Sequence, residues 1–133
     1  MDTTSQTTPT KTILIIEDEK ALLTLLTDKM ISVGIHVNQA TNGEEGLRKA
    51  LQTHPDLILL DIVMPEMNGM ILMRKLRENE WGKTVPIILL TNVDPDDNIL
   101  NGVIRDQPAY YMIKSDVQFE EIIEKIKDIL KIT

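Results

Sequence analysis

Short β-branched runs alternate with longer segments of helical periodicity along this chain. The apolar runs predict strands, and the segments that follow them predict helices. The predicted strands are 12–16, 35–40, 57–60, 87–90 and 109–113. The predicted helices are about 19–33, 43–53, 68–79, 95–104 and 117–131. Because each strand is followed by a helix, the pattern predicts an α/β fold, a doubly wound five-stranded parallel sheet with helices on both faces.

The boundaries of two helices carry local signals. Asp94 before Pro95, with Asp97 three residues on, predicts an N-cap, a first-turn proline and a capping acid for the fourth helix. In the last helix, apolar residues recur near helical spacing and predict a stripe that docks on the sheet. These residues are Val117, Ile122, Ile126, Ile129 and Leu130.

Composition bounds the domain organisation and the class of protein. Residues 1–10 are mostly Thr, Ser, Gln and Pro, which predicts a disordered tail before a single domain at residues 11–133. The net charge of −7 argues against direct nucleic-acid binding, which needs clustered Lys and Arg. No apolar run approaches the roughly 18 residues of a membrane span. We therefore expect a cytoplasmic protein without membrane insertion.

The chain offers no thiolate or histidine metal site. It has no cysteine, and His36 and His54 have no third ligand at metal spacing. Any metal site in this sequence must therefore be built from oxygen ligands.

Acidic residues follow two of the predicted strands, at the ends where the functional crevice of an open parallel sheet lies. Glu17, Asp18 and Glu19 follow the first strand, and Asp61 follows the third. Clustered carboxylates repel one another unless a cation lies among them. Mg²⁺ prefers one or two carboxylates together with water and phosphate oxygens, so we expect a magnesium site at this edge.

The fourth and fifth strands add a hydroxyl and a cation to the same edge. Thr91 follows the fourth strand, and Lys114 follows the fifth. A carboxylate such as Asp61 can attack phosphorus to give an aspartyl phosphate, while the metal and the lysine neutralise charge on the transferring oxygens. The threonine hydroxyl can donate to one of those oxygens.

These residues resemble the receiver domain of bacterial response regulators, over about residues 11–131. The most specific match is segment 61–69, Asp-Ile-Val-Met-Pro-Glu-Met-Asn-Gly, which is similar to the acceptor aspartate, the Met-Pro turn and the later glycine of that family. The resemblance implies the strand order 2-1-3-4-5. It also implies a switch that receives its phosphoryl group from a histidine kinase or a histidine phosphotransferase and acts on an unknown downstream protein.

The resemblance implies a magnesium site with three ligands from the chain. Asp18 and Asp61 would bind Mg²⁺ directly, and Asp61 would also be the phosphoacceptor. The backbone carbonyl of Val63 would be the third ligand, and Glu17 would act through a water molecule.

The remaining matches concern the switch. Thr91 and Lys114 would contact the phosphoryl group, and Tyr111, three residues before the lysine, would be the aromatic that packs inward after phosphorylation. The readout face would be the fourth helix, the fifth strand and the fifth helix. Leu22 and Leu23, one turn after the acidic pair, are candidates for docking the phosphodonor.

The sequence departs from the family pattern at several places. Ser115 replaces the usual proline after the lysine, so a cis bond there, at roughly 2.5–4 kcal/mol, would need strong support from the site. Asn92 replaces a small residue and could narrow the phosphoryl approach or hydrogen-bond there. Val63 has no polar group to orient a hydrolytic water, which predicts a phosphorylated form that is not unusually short-lived. Segment 105–109 lacks the Gly-Ala turn typical before the fifth strand, which leaves the end of the fourth helix open.

Other classes of protein fit these residues less well. A phosphatase of the haloacid dehalogenase type needs a second Asp two residues after its nucleophile, where Val63 stands. A flavin or nucleotide binder needs Gly, Ser or Thr after the first strand, whereas the acids of segment 17–19 repel phosphate. A receiver-like binding module that works without phosphorylation is the main alternative. It is disfavoured by the presence of the whole set Asp18, Asp61, Thr91 and Lys114.

Because the chain stops soon after the last helix, we expect a single-domain receiver that acts through protein contacts or relays phosphate to a histidine. A fragment of a longer protein is the other expectation.

Overall fold

The computed structural model describes residues 10–132, and the predicted tail lies almost wholly outside them. Strands and helices alternate along the described residues. The strands are β1 Thr12–Ile16, β2 His36–Ala40, β3 Leu57–Leu60, β4 Ile87–Thr91 and β5 Tyr110–Ile113. The helices are α1 Lys20–Ser32, α2 Gly43–Thr53, α3 Gly69–Arg77, α4 Asp97–Asp106 and α5 Phe119–Leu130, and a short 3-10 turn at Trp81–Lys83 follows α3.

The strands form one parallel sheet in the order β2-β1-β3-β4-β5. The three central strands are apolar and buried on both faces, as expected of a sheet covered by helices. Helices α1 and α5 pack on one face, and α2, α3 and α4 pack on the other. The predicted α/β class, strand order and two-sided helical cover are confirmed.

Successive residues of each central strand belong to different cores. Ile13 and Ile15 of β1 pack with α1 and α5, whereas Leu14 and Ile16 pack with α2 and α3. This alternation is the pleat of a strand, which sends neighbouring side chains to opposite faces. The strand ends are therefore held between two cores, and the loops that follow them are anchored at one edge.

The start of α4 differs from the prediction. Asp96 is the N-cap, and its carboxylate accepts a hydrogen bond from the Ile99 N–H at 2.9 Å. Asp94 and Pro95 lie in the loop before it, and Asp97 is the first residue of the helix rather than its capping acid. An N-cap carboxylate reaches the amide three residues on, so Asp94 lies too far upstream to cap a helix that begins at Asp97.

The end of α4 also differs, because the helix continues two residues past the predicted 104 to Asp106. Gln107 ends it in the left-handed conformation, with φ of 49°, and its N–H donates to the Val103 carbonyl. A glutamine thus makes the turn that a glycine usually makes, at a conformational cost of about 1 kcal/mol.

Candidate functional site

The loops after β1, β3, β4 and β5 enclose one pocket of about 290 Å³ at the carboxyl edge of the sheet. Its lining contains every acidic, hydroxyl and cationic residue predicted from the strand ends. The lining residues are Glu17, Asp18, Glu19, Asp61, Val63, Thr91, Asn92 and Lys114. The topology therefore assembles residues that are up to 97 positions apart in the chain, from 17 to 114.

Three carboxylates lie together on the floor and rim of this pocket. Glu17, Asp18 and Asp61 each offer an oxygen within 4.8 Å of the others. Glu17 and Asp61 are buried, at 2% and 5% exposure, whereas Asp18 is exposed. Hard oxygen donors with one side open to water are the ligands that Mg²⁺ takes in proteins, so the donor set fits that ion.

Lys114 joins two of these carboxylates. Its Nζ lies 2.9 Å from Glu17 Oε1 and 3.0 Å from Asp61 Oδ2. Burial alone would lower the pKa of Lys114, but the hydrogen bonds to Glu17 and Asp61 outweigh it and raise that pKa. The lysine therefore stays charged at neutral pH and offsets part of the acidic charge in the pocket.

The surroundings of Glu17 disfavour its charged form, whereas those of Lys114 favour the charged form. Burial raises the pKa of its carboxyl above the ordinary value, and the hydrogen bond from Lys114 only partly offsets this effect. The backbone N–H of Glu19 also donates to Glu17 Oε2 at 3.0 Å and fixes the side chain over the pocket. Its carboxylate is thus held in place at a cost in solvation.

Asp61 is placed by the turn that follows β3. Its N–H continues the sheet by donating to the Ile16 carbonyl at 3.1 Å, and its Oδ1 accepts from the Val63 N–H at 3.3 Å. Gly69 packs directly beneath it, because a Cβ at Gly69 would lie 2.2 Å from the Asp61 carbonyl oxygen. The glycine eight residues after Asp61 is therefore required by close contact of two backbone segments.

Thr91 and Tyr111 lie on the neighbouring strands. Thr91 is fully buried, and its Oγ1 accepts a hydrogen bond from the Val93 N–H at 3.4 Å. Tyr111 is half-buried, and its hydroxyl donates to the Val93 carbonyl at 2.5 Å. Burial, followed by the negative charges of Asp94, Asp96 and Asp61, raises the pKa of Tyr111. Both side chains therefore act on one residue of the loop between β4 and α4.

The two leucines proposed for donor docking have different surroundings. Leu23 is only 4% exposed and belongs to the core beneath α1. Its side chain is therefore not accessible to a phosphodonor, contrary to the docking prediction. Leu22 is half-buried and lines a cavity of about 130 Å³ with Val117, Phe119 and Lys114. One residue of the predicted pair thus remains on a surface that adjoins the pocket.

The departures at Asn92 and Ser115 meet in space. Asn92 Oδ1 accepts a hydrogen bond from the Ser115 N–H at 3.0 Å. No cis peptide bond occurs between residues 10 and 132, so the bond from Lys114 to Ser115 is trans. Sequence alone indicates only that Ser115, unlike a proline, has an N–H to donate.

Comparison with known proteins agrees with this geometry. Residues 13–127 match the model of the response regulator receiver domain. The chain belongs to this family. Receiver domains are the regulatory phosphoacceptor domains of two-component systems, and they bind Mg²⁺ at an acidic pocket. The family match favours a receiver domain over the phosphatase and over the flavin or nucleotide binder.

Curated relatives are longer than this chain. The DNA-binding dual master transcriptional regulator RpaA of Synechocystis is 31% identical over 121 residues, which are 91% of this chain and 49% of RpaA. The regulatory protein PhoP of Bacillus subtilis is 37% identical over 91 residues, 68% of this chain and 37% of PhoP. This chain therefore spans about half or less of the length of these relatives.

Solved structures share the whole fold. A CheY-like receiver domain protein from Methanospirillum hungatei superimposes with a TM-score of 0.84 at 27% identity, covering 92% of this chain and 95% of that one. The response regulator TrrA of Thermotoga maritima, solved in complex with Mg²⁺-BeF, has a TM-score of 0.78 at 33% identity, covering 90% and 98%. Within residues 10–132, none of the helices is long and apolar enough to cross a membrane.

Proposed function

We propose that this chain is a phosphorylation-dependent switch that takes a phosphoryl group from a phosphohistidine donor onto Asp61, with Mg²⁺ bound beside it. The observation that carries the proposal is the buried Glu17–Lys114–Asp61 arrangement next to Asp18. A charged lysine at a solvent-open pocket suits the transfer of an anionic group, because the lysine can exchange a carboxylate for a phosphoryl oxygen. The three carboxylates repel such a group unless a cation lies among them, which is the part that Mg²⁺ would play.

The metal ligands would be Asp18, Asp61 and the backbone carbonyl of Val63, with Glu17 acting through a water molecule. When bound, Mg²⁺ supplies positive charge to the oxygens of the phosphoryl group. The clustering of the three carboxylates within 4.8 Å supports this assignment.

In the transfer step, a carboxylate oxygen of Asp61 attacks phosphorus. The new O–P bond forms as the P–N bond of the donor breaks, and its electron pair stays on the donor imidazole. Lys114 Nζ, already 3.0 Å from Asp61, neutralises an oxygen of the incoming group. The Thr91 hydroxyl, whose oxygen accepts from the Val93 N–H, would donate its hydrogen to a phosphoryl oxygen. Lys114 is in contact with Asp61 before the donor arrives, which lowers the cost of ordering it.

Hydrolysis would be the route by which this site loses its phosphoryl group to water. Water would attack the phosphorus of phospho-Asp61 and release inorganic phosphate. Val63, at 59% exposure, brings an apolar side chain to the pocket and orients no water. We expect phospho-Asp61 in Val63→Asn to decay faster than in the native protein. Much faster decay in the native protein would contradict this assignment.

The signal would leave through the face formed by α4, β5 and α5. Movement of Thr91 toward the phosphoryl group would release the loop at Val93, which Tyr111 contacts. Leu100 and Ile104 on α4 are 44% and 72% exposed, so this face offers apolar side chains to a partner. A downstream protein that binds the phosphorylated form would bury them.

The phosphodonor would dock beside α1. Leu22, Val117 and Phe119 form an apolar depression that also borders Lys114. A histidine kinase or histidine phosphotransferase helix bound there would lie next to the pocket. Leu22→Asp should lose transfer from such a donor yet keep phosphorylation by acetyl phosphate. Loss of both reactions would show that the substitution damages the pocket itself.

The test of the proposed function is intact mass after incubation with Mg²⁺ and acetyl phosphate. One phosphoryl group should add to the native protein and none to Asp61→Asn. Addition should also fail when EDTA replaces Mg²⁺. No addition to the native protein with acetyl phosphate, phosphoramidate or a phosphohistidine donor would favour a binding module that works without phosphorylation.

A further inference from the structure

The loops after β4 and β5 are joined by a side-chain hydrogen bond at the mouth of the pocket. Backbone pairing of these strands ends at Thr91 and Ile113, and the Lys114 N–H still donates to the Thr91 carbonyl at 2.9 Å. One residue further on, Asn92 Oδ1 accepts from the Ser115 N–H at 3.0 Å. The side-chain amide thus adds one hydrogen bond beyond the end of the sheet. We call this contact the Asn92–Ser115 clasp.

The clasp depends on a backbone donor. A proline at position 115 would have no N–H to offer, so the contact exists because a serine stands there. An N–H can only donate, which fixes the orientation of the amide: Oδ1 faces Ser115, and Nδ2 is the opposite end. The two departures from the family pattern, Asn92 and Ser115, are therefore one structural unit.

The clasp lies at the entrance to the acceptor. Asn92 and Val63 are exposed and line the same pocket as Asp61, which is only 5% exposed. A small molecule that reaches the Asp61 carboxylate must enter this pocket from solvent. A free side chain at position 92 could rotate away from the entrance, but the hydrogen bond to Ser115 holds the amide where it is.

We propose that Asn92 is a positioning residue, held by the Ser115 N–H across the entrance, that restricts the access of small phosphodonors and of water to Asp61. This inference rests on the proposed function. Phosphorylation by phosphoramidate and hydrolysis of phospho-Asp61 need access to the same point. In the first, the donor P–N bond breaks as the O–P bond forms, and ammonia leaves. In the second, water replaces the aspartyl oxygen on phosphorus, and phosphate leaves.

The experiment measures both rates in variants that remove either half of the clasp. Asn92→Ala removes the acceptor, and Ser115→Pro removes the donor. Each should raise the phosphoramidate rate and the hydrolysis rate by about two- to tenfold, the factor that one net hydrogen bond supplies. Ser115→Ala is the matched control, because it removes the hydroxyl and keeps the N–H, and its rates should equal those of the native protein.

The double variant separates the clasp from other effects of proline. Once Asn92→Ala has removed the acceptor, Ser115→Pro should add no further acceleration, because the two residues act through one bond. A further change of either rate in that background would overturn the proposal. Equal effects of Ser115→Ala and Ser115→Pro would also overturn it.

Hydrogen exchange keeps the proposal testable even if the proline variant fails to fold. The Ser115 amide should exchange more slowly in the native protein than in Asn92→Ala. Equal exchange rates would show that the clasp does not protect this amide. Unchanged or slower phosphorylation of Asn92→Ala, in a native protein that is phosphorylated, overturns the access role alone. Failure of the native protein to accept phosphate on Asp61 overturns the proposed function, whatever the exchange shows.

Discussion

Replacing Lys114 by methionine should destabilise the metal-free protein more than any surface charge deletion. The ammonium makes contacts of 2.9 and 3.0 Å to Glu17 and Asp61, and the three side chains are 15%, 3% and 6% exposed. Methionine keeps the aliphatic stem, so the change removes mainly the charge. Two buried carboxylates then lose their common partner. This is costly because a buried charge is stable only when it is paired and hydrogen-bonded.

The magnitude follows from the burial of the pair. Removing one partner of a buried ion pair costs about 3–5 kcal/mol, and a hydrogen bond to a charged group contributes about 1.5–3 kcal/mol. Because the pocket opens to solvent and water can enter beside Asp18, the lower part of this range applies. We expect Lys114→Met to lose about 2–4 kcal/mol of unfolding free energy at pH 7.

The assay is urea unfolding in EDTA, followed by circular dichroism. Lys83→Met is the control, since Lys83 Nζ lies 3.4 Å from Glu80 Oε1 but the two side chains are 56% and 93% exposed. Such a surface pair contributes about 0–1 kcal/mol. Adding Glu17→Gln to Lys114→Met should restore part of the loss, because one uncompensated charge is removed. If Lys114→Met loses no more than Lys83→Met, the lysine does not neutralise this pocket.

Three further changes test the site and the fold. The pKa of Glu17 is higher in the folded than in the unfolded protein, so the native state keeps the Glu17 proton to a higher pH. Metal-free stability should therefore fall as pH rises from about 4.5 through the folded pKa, and Glu17→Gln should remove that fall in parallel urea titrations. Gly69→Ala should cost about 1–3 kcal/mol and weaken Mg²⁺ binding, because its Cβ would meet the Asp61 carbonyl. Gly34→Ala is the control: its Cβ would meet nothing, so it should lose stability through its positive φ but keep its Mg²⁺ affinity. Equal Mg²⁺ affinity in the Gly69 and Gly34 variants would refute the effect of the Gly69–Asp61 contact on the metal site. Gln107→Gly should gain about 0.5–1 kcal/mol in thermal unfolding, because glycine adopts φ of 49° without strain, and a loss would mean that the Gln107 side chain stabilises the turn.

The core of the fold and the composition of the pocket could be predicted from the sequence. The runs LILL at 57–60 and IILL at 87–90 are apolar throughout, as expected of strands in a sheet covered on both faces. Parallel strands end at one edge, so the residues after each strand had to meet there. Asp61, Thr91 and Lys114 lie together for this reason, and local pattern was sufficient to find them.

The ends of the helices, and which side of each helix faces the core, could not be predicted from local sequence pattern. Leu22 and Leu23 are equally apolar, and only the docking of α1 on the sheet turns Leu23 into the core and leaves Leu22 at the pocket. Asp94 and Asp96 are equally good N-caps by residue type. The path of the loop after β4, which Tyr111 holds at Val93, decides between them.

Contacts between distant residues depended entirely on the tertiary structure. Arg77 donates to the carbonyls of Gly82, Val85 and Asp106, and so ties the end of α4 to the loop before β4. Nothing near Arg77 in the sequence indicates these acceptors. Asn92 and Ser115 are 23 residues apart, and their hydrogen bond forms only once β4 and β5 are paired. Periodicity records which face of an element is buried, whereas such bonds depend on where two elements are placed relative to each other, and that is set by packing of the whole core.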